Sequence, residues 1–211
     1  MVPPNATVIL DVGCSNGALG ASLGAALPGR QVVGIESNPA LAAEASTRLD
    51  SVVQADLNSF EWDQAFAGRQ FDCIIFADVL EHLLDPHSHL VQARRCLRPG
   101  GCFVISLPNI RHVSALYSIF VCGTFPRRDR GIFDSTHLHW FTLHDAKQLI
   151  ADASMKVEQI SGSLRVRDRG DGFLNKLVRK LLDPFQGFSP VREFLTYQFC
   201  IKVVMCEKSA D

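Results

Sequence analysis

Asp11-Val12-Gly13-Cys14-Ser15-Asn16-Gly17 stands between an apolar run, Thr7 to Val12, and a stretch whose leucines recur at helical spacing, Leu19, Leu23 and Leu27. Small residues in such a turn let a ligand approach the backbone, and the start of the following helix presents unpaired amide donors. Glu36 closes the next β-rich run about 20 residues beyond the turn, where a carboxylate can accept hydrogen bonds from ribose hydroxyls. Together the turn and the acid describe a site for a nucleoside-type cofactor. A nicotinamide dinucleotide is the competing reading, because the same arrangement binds it. Its G-x-G-x-x-G pattern, counted from Gly13, meets Ser15 and Ala18 at the second and third glycine places. Asp11, just before the turn, suits a ligand bearing an ammonium or sulfonium better than a pyrophosphate.

A second group of reactive side chains follows the fourth apolar run. Asp78, Glu81 and His82 have i, i+3, i+4 spacing, which on a helix would place them on one face. Histidine titrates near neutrality, so His82, together with His137 and His139 further along, could take a proton from an acceptor, as could Asp78. The same side chains could instead brace the sheet end and the segment around them. Arg127, Arg128 and Arg130 form one basic cluster, and Arg165, Arg167, Arg169, Lys176, Arg179 and Lys180 another. The second accompanies an amphipathic stretch whose apolar face is Phe173, Leu174, Leu177, Val178, Leu181 and Leu182. That stretch reads either as a core-packed helix with a solvated face, or as a cap for an anionic or lipid-linked substrate, or for a membrane surface.

The elements that would position these groups alternate. Strands are expected at Thr7 to Val12, Gln31 to Glu36, Ser51 to Gln54, Phe71 to Ala77 and Cys102 to Leu107. Helices are expected from Asn16 as N-cap to Pro28-Gly29, from Asn38 with Pro39 in the first helical position to about Leu49, and from Asp78 to about Leu97 with a break at Asp85-Pro86. Arg98-Pro99-Gly100-Gly101 reads as a turn. This alternation implies a doubly wound parallel α/β sheet, which binds ligands at the carboxyl ends of its strands. After Asn109 the rhythm breaks as far as Phe141, as in a lid or binding loop. It returns at Thr142-Leu143-His144-Asp145, a capping box for a helix to about Ala153, with strands at Lys156 to Ser161 and Thr196 to Glu207.

Composition sets the outer limits. The 211 residues, 47% of them apolar, suit one packed domain with no internal repeat. Twenty-one Lys and Arg against 22 Asp and Glu leave a net charge of -1, so no global field favours nucleic acid. No apolar run approaches the roughly 18 residues of a membrane helix, and no secretory signal is readable, so a cytoplasmic location is expected. Seven cysteines without a C-x-x-C pair read as free thiols rather than a disulfide framework or zinc cluster.

With these residues in view, the chain resembles a class I S-adenosylmethionine-dependent methyltransferase over essentially its whole length. Asp11 to Gly17 is similar to that family's D-x-G-x-G-x-G motif, with Ser15 in place of the middle glycine. Asp56-Leu57, Phe71 to Asp78 and Leu97 to Gly101 resemble its later motifs in order. The resemblance implies a Rossmann-like, doubly wound, seven-stranded sheet, mostly parallel, with an antiparallel last strand beside the fifth and sixth. It implies one methyltransferase domain over residues 1–211, with 109–141 and 162–195 as lid or cap segments. Asp11, Gly13, Cys14, Ser15 and Gly17 would hold the methionine part of S-adenosylmethionine, Glu36 and Ser37 the ribose, Asp56 and Leu57 the adenine, and Ala77 and Asp78 would lie beside the cofactor.

Asp78 to Leu83 and Gly131 to Thr142 further resemble the group that includes the ubiquinone-pathway O-methyltransferases. In those enzymes the positions matching Asp78, Glu81 and His82 can hold a divalent metal; the reading here favours none, since Asp78 stands where glutamate is usual. The expected reaction is methyl transfer to a small-molecule acceptor, on oxygen in preference to nitrogen or carbon. A metal-assisted quinone-type enzyme, a non-catalytic S-adenosylmethionine-binding regulator and an NAD-dependent oxidoreductase are the alternatives. With the first strand already at Thr7, either residues after Asn109 cover the substrate or the chain is a piece of a longer protein.

Overall fold

The apolar runs become the middle of a twisted sheet. A computed structural model, which describes residues 1–164 and 190–206, gives seven strands: β1 (Val8–Val12), β2 (Gln31–Glu36), β3 (Ser51–Gln54), β4 (Phe71–Ala77), β5 (Leu97–Pro108), β6 (Met155–Leu164) and β7 (Thr196–Met205). Their order is β3-β2-β1-β4-β5-β7-β6. The first five run parallel, and β7 lies antiparallel to both β5 and β6. That is the mixed sheet the resemblance implies, and it departs from the classic dinucleotide-binding order, in which the sixth strand ends the sheet.

Side chains alternate across the strands and build two cores. Leu10, Val12, Ile74, Phe76, Phe103, Ile105, Phe199 and Ile201 face one layer, which also contains Trp62 and Leu90. Ile9, Cys73, Ile75, Cys102 and Val104 face the other, with Cys14, Val32 and Leu49. The cysteines of the described residues are free, and Cys14, Cys73, Cys96 and Cys102 are buried.

Several boundaries differ from the expectation, each for a local reason. Helix α1 (Ala18–Ala26) starts after Gly17, so Asn16 is not its N-cap. The turn spends three left-handed residues, Gly13, Ser15 and Gly17, before the helix can begin. Helix α2 (Pro39–Ala45) has the expected Asn38 cap but stops early, where the Ser46 and Thr47 hydroxyls donate to the Ala42 and Glu44 carbonyls. Arg98 to Gly101 is not a free turn: it lies within β5, across from a register shift between Phe71 and Cys73 in β4.

The helix expected from Asp78 to Leu97 is broken further than Pro86 alone requires. Leu80–His82 forms a single 3-10 turn, α3 (Pro86–Ala93) begins at the Asp85 cap, and Arg94–Cys96 is a second 3-10 turn. Asp78, Glu81 and His82 therefore do not share a helical face. The capping box forms as read, Thr142 and Asp145 satisfying each other's amides ahead of the helix Leu143–Asp152.

The segment after β5 is pinched at its base, where Asn109 bridges Phe141 and the Ile110 amide donates to the Phe141 carbonyl. Asn109 is itself buried, donating its side-chain amide to the Glu193 and Thr196 carbonyls. Within the loop, Ala115, Ile132 and Phe133 pack with Tyr197 into a small core of their own. Residues 109–141 thus form a packed segment on a fixed base. Residues 162–164, expected in the second cap, complete β6 instead. The amphipathic stretch 173–182, the basic cluster from Arg165 to Lys180 and Glu207 lie outside the described residues. Among the described residues no helix is long and apolar enough to cross a membrane.

Candidate functional site

The strand ends align so that β1, β4 and β5 finish together, Val12 beside Phe76 and Ala77 beside Ser106. Strand order reverses between β1 and β4, and beyond that point lies a cavity of about 270 Å³. Of the residues singled out from sequence, Gly13, Glu36, Ser37, Asp56, Leu57, Asp78 and His82 line it. Val79 and Leu83, within the motif from Asp78 to Leu83, and Ile35, Ala55 and Asn58, each next in sequence to a marked residue or strand end, complete its walls.

Asp11, Cys14, Ser15, Gly17 and Ala77 are not among the cavity walls. Asp11 is 1% exposed at the end of β1, and its Oδ2 has no hydrogen-bond partner. Burial pushes this carboxyl up to about 7. The Cys14 side chain turns into the sheet core, lying against Gly34, so only its backbone belongs to the turn. A Cβ on Gly17 would come within 3.0 Å of the Ala45 Cα, so that glycine serves the approach of α2. Ala77 packs against the smaller core.

Glu36 ties the turn to β2. Its Oε2 accepts the Ser15 amide at 2.9 Å and its Oε1 the Asn38 amide at 2.8 Å. Opposite, Gly13 has φ +68, and an added Cβ would meet the Val79 side chain at 2.7 Å, so the turn backbone comes directly against the far wall. Asp56 closes another side, its Oδ1 accepting the Asn58 amide.

Asp78 stands between cavity and sheet with φ +56, a left-handed conformation that is strained for a residue with a side chain. Gln198 Nε2 donates to its Oδ1 and Oδ2 at 2.6 and 2.7 Å, and Ser106 Oγ donates to Oδ1 at 2.8 Å. Gln198 also reaches Ser106 Oγ, at 2.7 Å. Neither Gln198 nor Ser106 was anticipated: one sits on a strand nearly at the chain's end and carries no motif.

Glu81 turns inward, away from the cavity walls. It is 1% exposed, both carboxyl oxygens lack partners, and burial, supported by nearby Asp78 and Asp134, raises the carboxyl to about 8. Its backbone carbonyl accepts the Leu138 and His139 amides, which fastens the lid to the turn. His137 is buried with Nε2 at 3.9 Å from Glu81 Oε1, and its ring meets that of His82 edge-on at 4.6 Å. Burial, with the neighbouring His82, lowers the His137 pKa. His139 faces Phe141 and its buried Nε2 has no partner. Glu81, His82 and His137 offer ligand atoms within 4.8 Å of one another, a group that does not include Asp78.

A family model described as a methyltransferase domain matches residues 10–103, from β1 into β5. The ubiquinone biosynthesis O-methyltransferase of Rhizobium etli is 26% identical over 178 residues, 80% of this chain and 64% of that protein. The enzyme of the same description from Xanthomonas oryzae is 32% identical over 168 residues, 74% of this chain and 65% of that one. The chain thus covers just under two thirds of the length of each. Among solved structures, an S-adenosylmethionine-dependent methyltransferase from Archaeoglobus fulgidus superposes with a TM-score of 0.60 at 14% identity, covering 95% of this chain and 86% of that one. Magnesium protoporphyrin IX methyltransferase from Synechocystis, with bound S-adenosylhomocysteine, gives 0.63 at 13% identity over 96% and 76%.

Residues 10–103 match a methyltransferase domain, and the sheet has the fold of S-adenosylmethionine-dependent methyltransferases. That family match ends before Asn109, so His137 and His139 lie outside it.

Proposed function

We propose that the chain transfers a methyl group from S-adenosylmethionine to an oxygen of a small-molecule acceptor. The observation that carries this reading is the buried Asp11 carboxyl, whose Oδ2 has no hydrogen-bond partner, just before the turn whose Gly13 lines the cavity, with Glu36 fixed across the same turn. An orphaned buried carboxylate next to a cavity at the strand switch point suits a cationic ligand. The residues fit the cofactor on that ground. Asp11 and the turn backbone would hold its ammonium end, Glu36 and Ser37 its ribose, and Asp56 and Leu57 its base. Glu36 Oε2 keeps a lone pair beyond the one given to the Ser15 amide, whereas Oε1 accepts both the Asn38 amide and the Ser37 hydroxyl.

When bound, the sulfonium supplies an electrophilic methyl group for in-line displacement. The chain's own contribution is alignment, exclusion of water and removal of the acceptor's proton. Asp78 is the side chain placed for the last, since it lines the cavity while Gln198 and Ser106 fix its orientation. His82 lines the cavity as well, but its Nδ1 is engaged by Thr136, which makes it the link between cavity and lid. Of the lid arginines, Arg127 donates to the Ser135 carbonyl and Arg128 stacks over Phe133, so both serve the lid's own structure. The relatives named for ubiquinone biosynthesis favour oxygen as the methylated atom.

Incubating the full chain with methyl-labelled S-adenosylmethionine and a metabolite extract, followed by mass spectrometry, tests the reading. A labelled product carrying an O-methyl group is expected, and its loss in Asp78→Asn. Cofactor binding without a labelled product from any acceptor pool would favour the regulator instead.

A further inference from the structure

A second cavity, of about 220 Å³, lies between the segment after β3 and α3, and shares Leu57 and Asn58 with the walls of the first. Asn58 ties the two sides together, its Oδ1 accepting the Leu84 amide at 2.9 Å. Asp78 does not line this cavity, so a molecule bound in it would be distinct from the methyl acceptor.

His89 limits what the cavity can hold. The residue is 7% exposed, and its Nδ1 lies 3.1 Å from Trp62 Nε1 in the core. An indole N–H only donates, so Nδ1 accepts and the hydrogen sits on Nε2. Burial lowers the His89 pKa against the pull of Asp85 and Asp56, which keeps the ring neutral at neutral pH. Among the described residues no acceptor meets the Nε2 hydrogen, and the ring forms part of the cavity wall. A donor so far withdrawn from bulk water costs free energy unless something in the cavity accepts from it.

The neighbouring wall adds one more donor and two acids. Gln92 Nε2 donates to Ser88 Oγ at 2.9 Å, which leaves the Ser88 hydroxyl its own hydrogen to give, one residue from His89. Asp85 accepts the Ser88 amide through Oδ1 and keeps Oδ2, while Glu61 brings a second carboxylate from the segment after β3. Among the described residues no lysine or arginine lines the cavity, so an anion is disfavoured there. Leu57, Phe60 and Leu84 supply apolar wall.

We propose that this cavity binds a small hydroxylated amine of amino-sugar size, with its ammonium beside Glu61 and Asp85 and a hydroxyl oxygen accepting from His89 and Ser88. A hydroxyl both donates and accepts, and an ammonium makes charge-assisted bonds to carboxylates that have no base between them. The apolar wall suits the C–H face of such a ring. Binding is independent of the methyl-transfer reading and is measured without S-adenosylmethionine, so failure of one leaves the other standing.

The test is saturation-transfer NMR with calorimetry on the full chain, using probes built on one scaffold: glucosamine, glucose and glucose 6-phosphate. Glucosamine is expected to bind one-to-one, glucose at least about fivefold more weakly, and glucose 6-phosphate more weakly still. Ser88→Ala should weaken glucosamine binding by about threefold or more, and Glu61→Gln by about tenfold. His89→Phe should weaken it as well, with a thermal melt confirming the fold; Ser88 and Glu61 are exposed, so their variants carry the test if loss of the Trp62 contact unfolds that one. No binding of glucosamine, tighter binding of glucose 6-phosphate, or glucosamine binding unchanged in folded Ser88→Ala and Glu61→Gln would each overturn the proposal.

Discussion

Gln198 and Asp78, 120 residues apart in sequence, are joined by a side-chain amide that donates to both carboxylate oxygens at 2.6 and 2.7 Å. The antiparallel insertion of β7 beside β5 makes this contact possible, since it brings residue 198 to the end of the sheet where β4 stops. Removing the donor frees the carboxylate without touching the cavity walls. Gln198→Ala and Ser106→Ala are expected to lower the rate of labelled methyl transfer by about 10- to 100-fold while leaving the affinity for S-adenosylhomocysteine within about threefold. Equal losses in rate and affinity would assign Gln198 to the cofactor site instead.

Asp11 makes cofactor binding pH-dependent. Its pKa is raised in the empty protein, so between the ordinary value of 3.8 and about 7 the folded chain holds a proton that the unfolded chain has released. Stability from this group therefore falls as pH rises through that window, by up to about 4 kcal/mol at its upper end. A bound ammonium relieves that cost. S-adenosylhomocysteine should bind more tightly as pH rises toward about 7, with a proton released on binding, as read by calorimetry in two buffers of different ionisation enthalpy. Asp11→Asn should abolish the proton release.

Gly13 meets two constraints at once, a positive φ and the Val79 side chain. Gly13→Ala is expected to cost about 1–3 kcal/mol in denaturant unfolding, and Val79→Ala in the same chain should recover part of it. The unrecovered part reports the backbone strain. No recovery at all would mean that contact with Val79 is unimportant.

Asp72 fastens the start of β1 to β4, its Oδ2 accepting the Thr7 and Val8 amides and the Thr7 hydroxyl, and its Oδ1 the Arg98 guanidinium at 2.7 Å. Burial pushes its pKa up, but these donors outweigh it and hold the group at about 2. The depressed value gives stability that is fully present above 3.8 and lost as pH falls toward about 2, a contribution of about 2 kcal/mol. Asp72→Asn should therefore be less stable than the native chain at neutral pH, the difference closing across that acid window in urea titrations.

Sequence reading recovered what local chemistry determines. The β1 to β4 strands, the Cys102 to Leu107 part of β5 and the Asn38 and Thr142 caps follow from residue type and short spacing, and the structure places them as read. The antiparallel β7 came from the resemblance, since periodicity alone does not give strand direction. What failed was anything requiring a long-range partner. Helical spacing put Asp78, Glu81 and His82 on one face, but a left-handed Asp78 and a 3-10 turn leave Asp78 outside the group that Glu81 and His82 form with His137. At Cys14 and Gly17 the side-chain positions are taken, one by the core and the other by the approach of α2, so only their backbones are open to a ligand. Gln198 was invisible because its partners lie 92 and 120 residues earlier in the chain.

The central claim is that the turn from Asp11 to Gly17 and the acid Glu36 form an S-adenosylmethionine site. Titration calorimetry of the full chain with S-adenosylhomocysteine and, separately, with NAD tests it most directly. Saturable one-to-one binding of S-adenosylhomocysteine, weakened by Glu36→Ala, with no heat from NAD, is the predicted result. Binding of NAD with none of S-adenosylhomocysteine would contradict it.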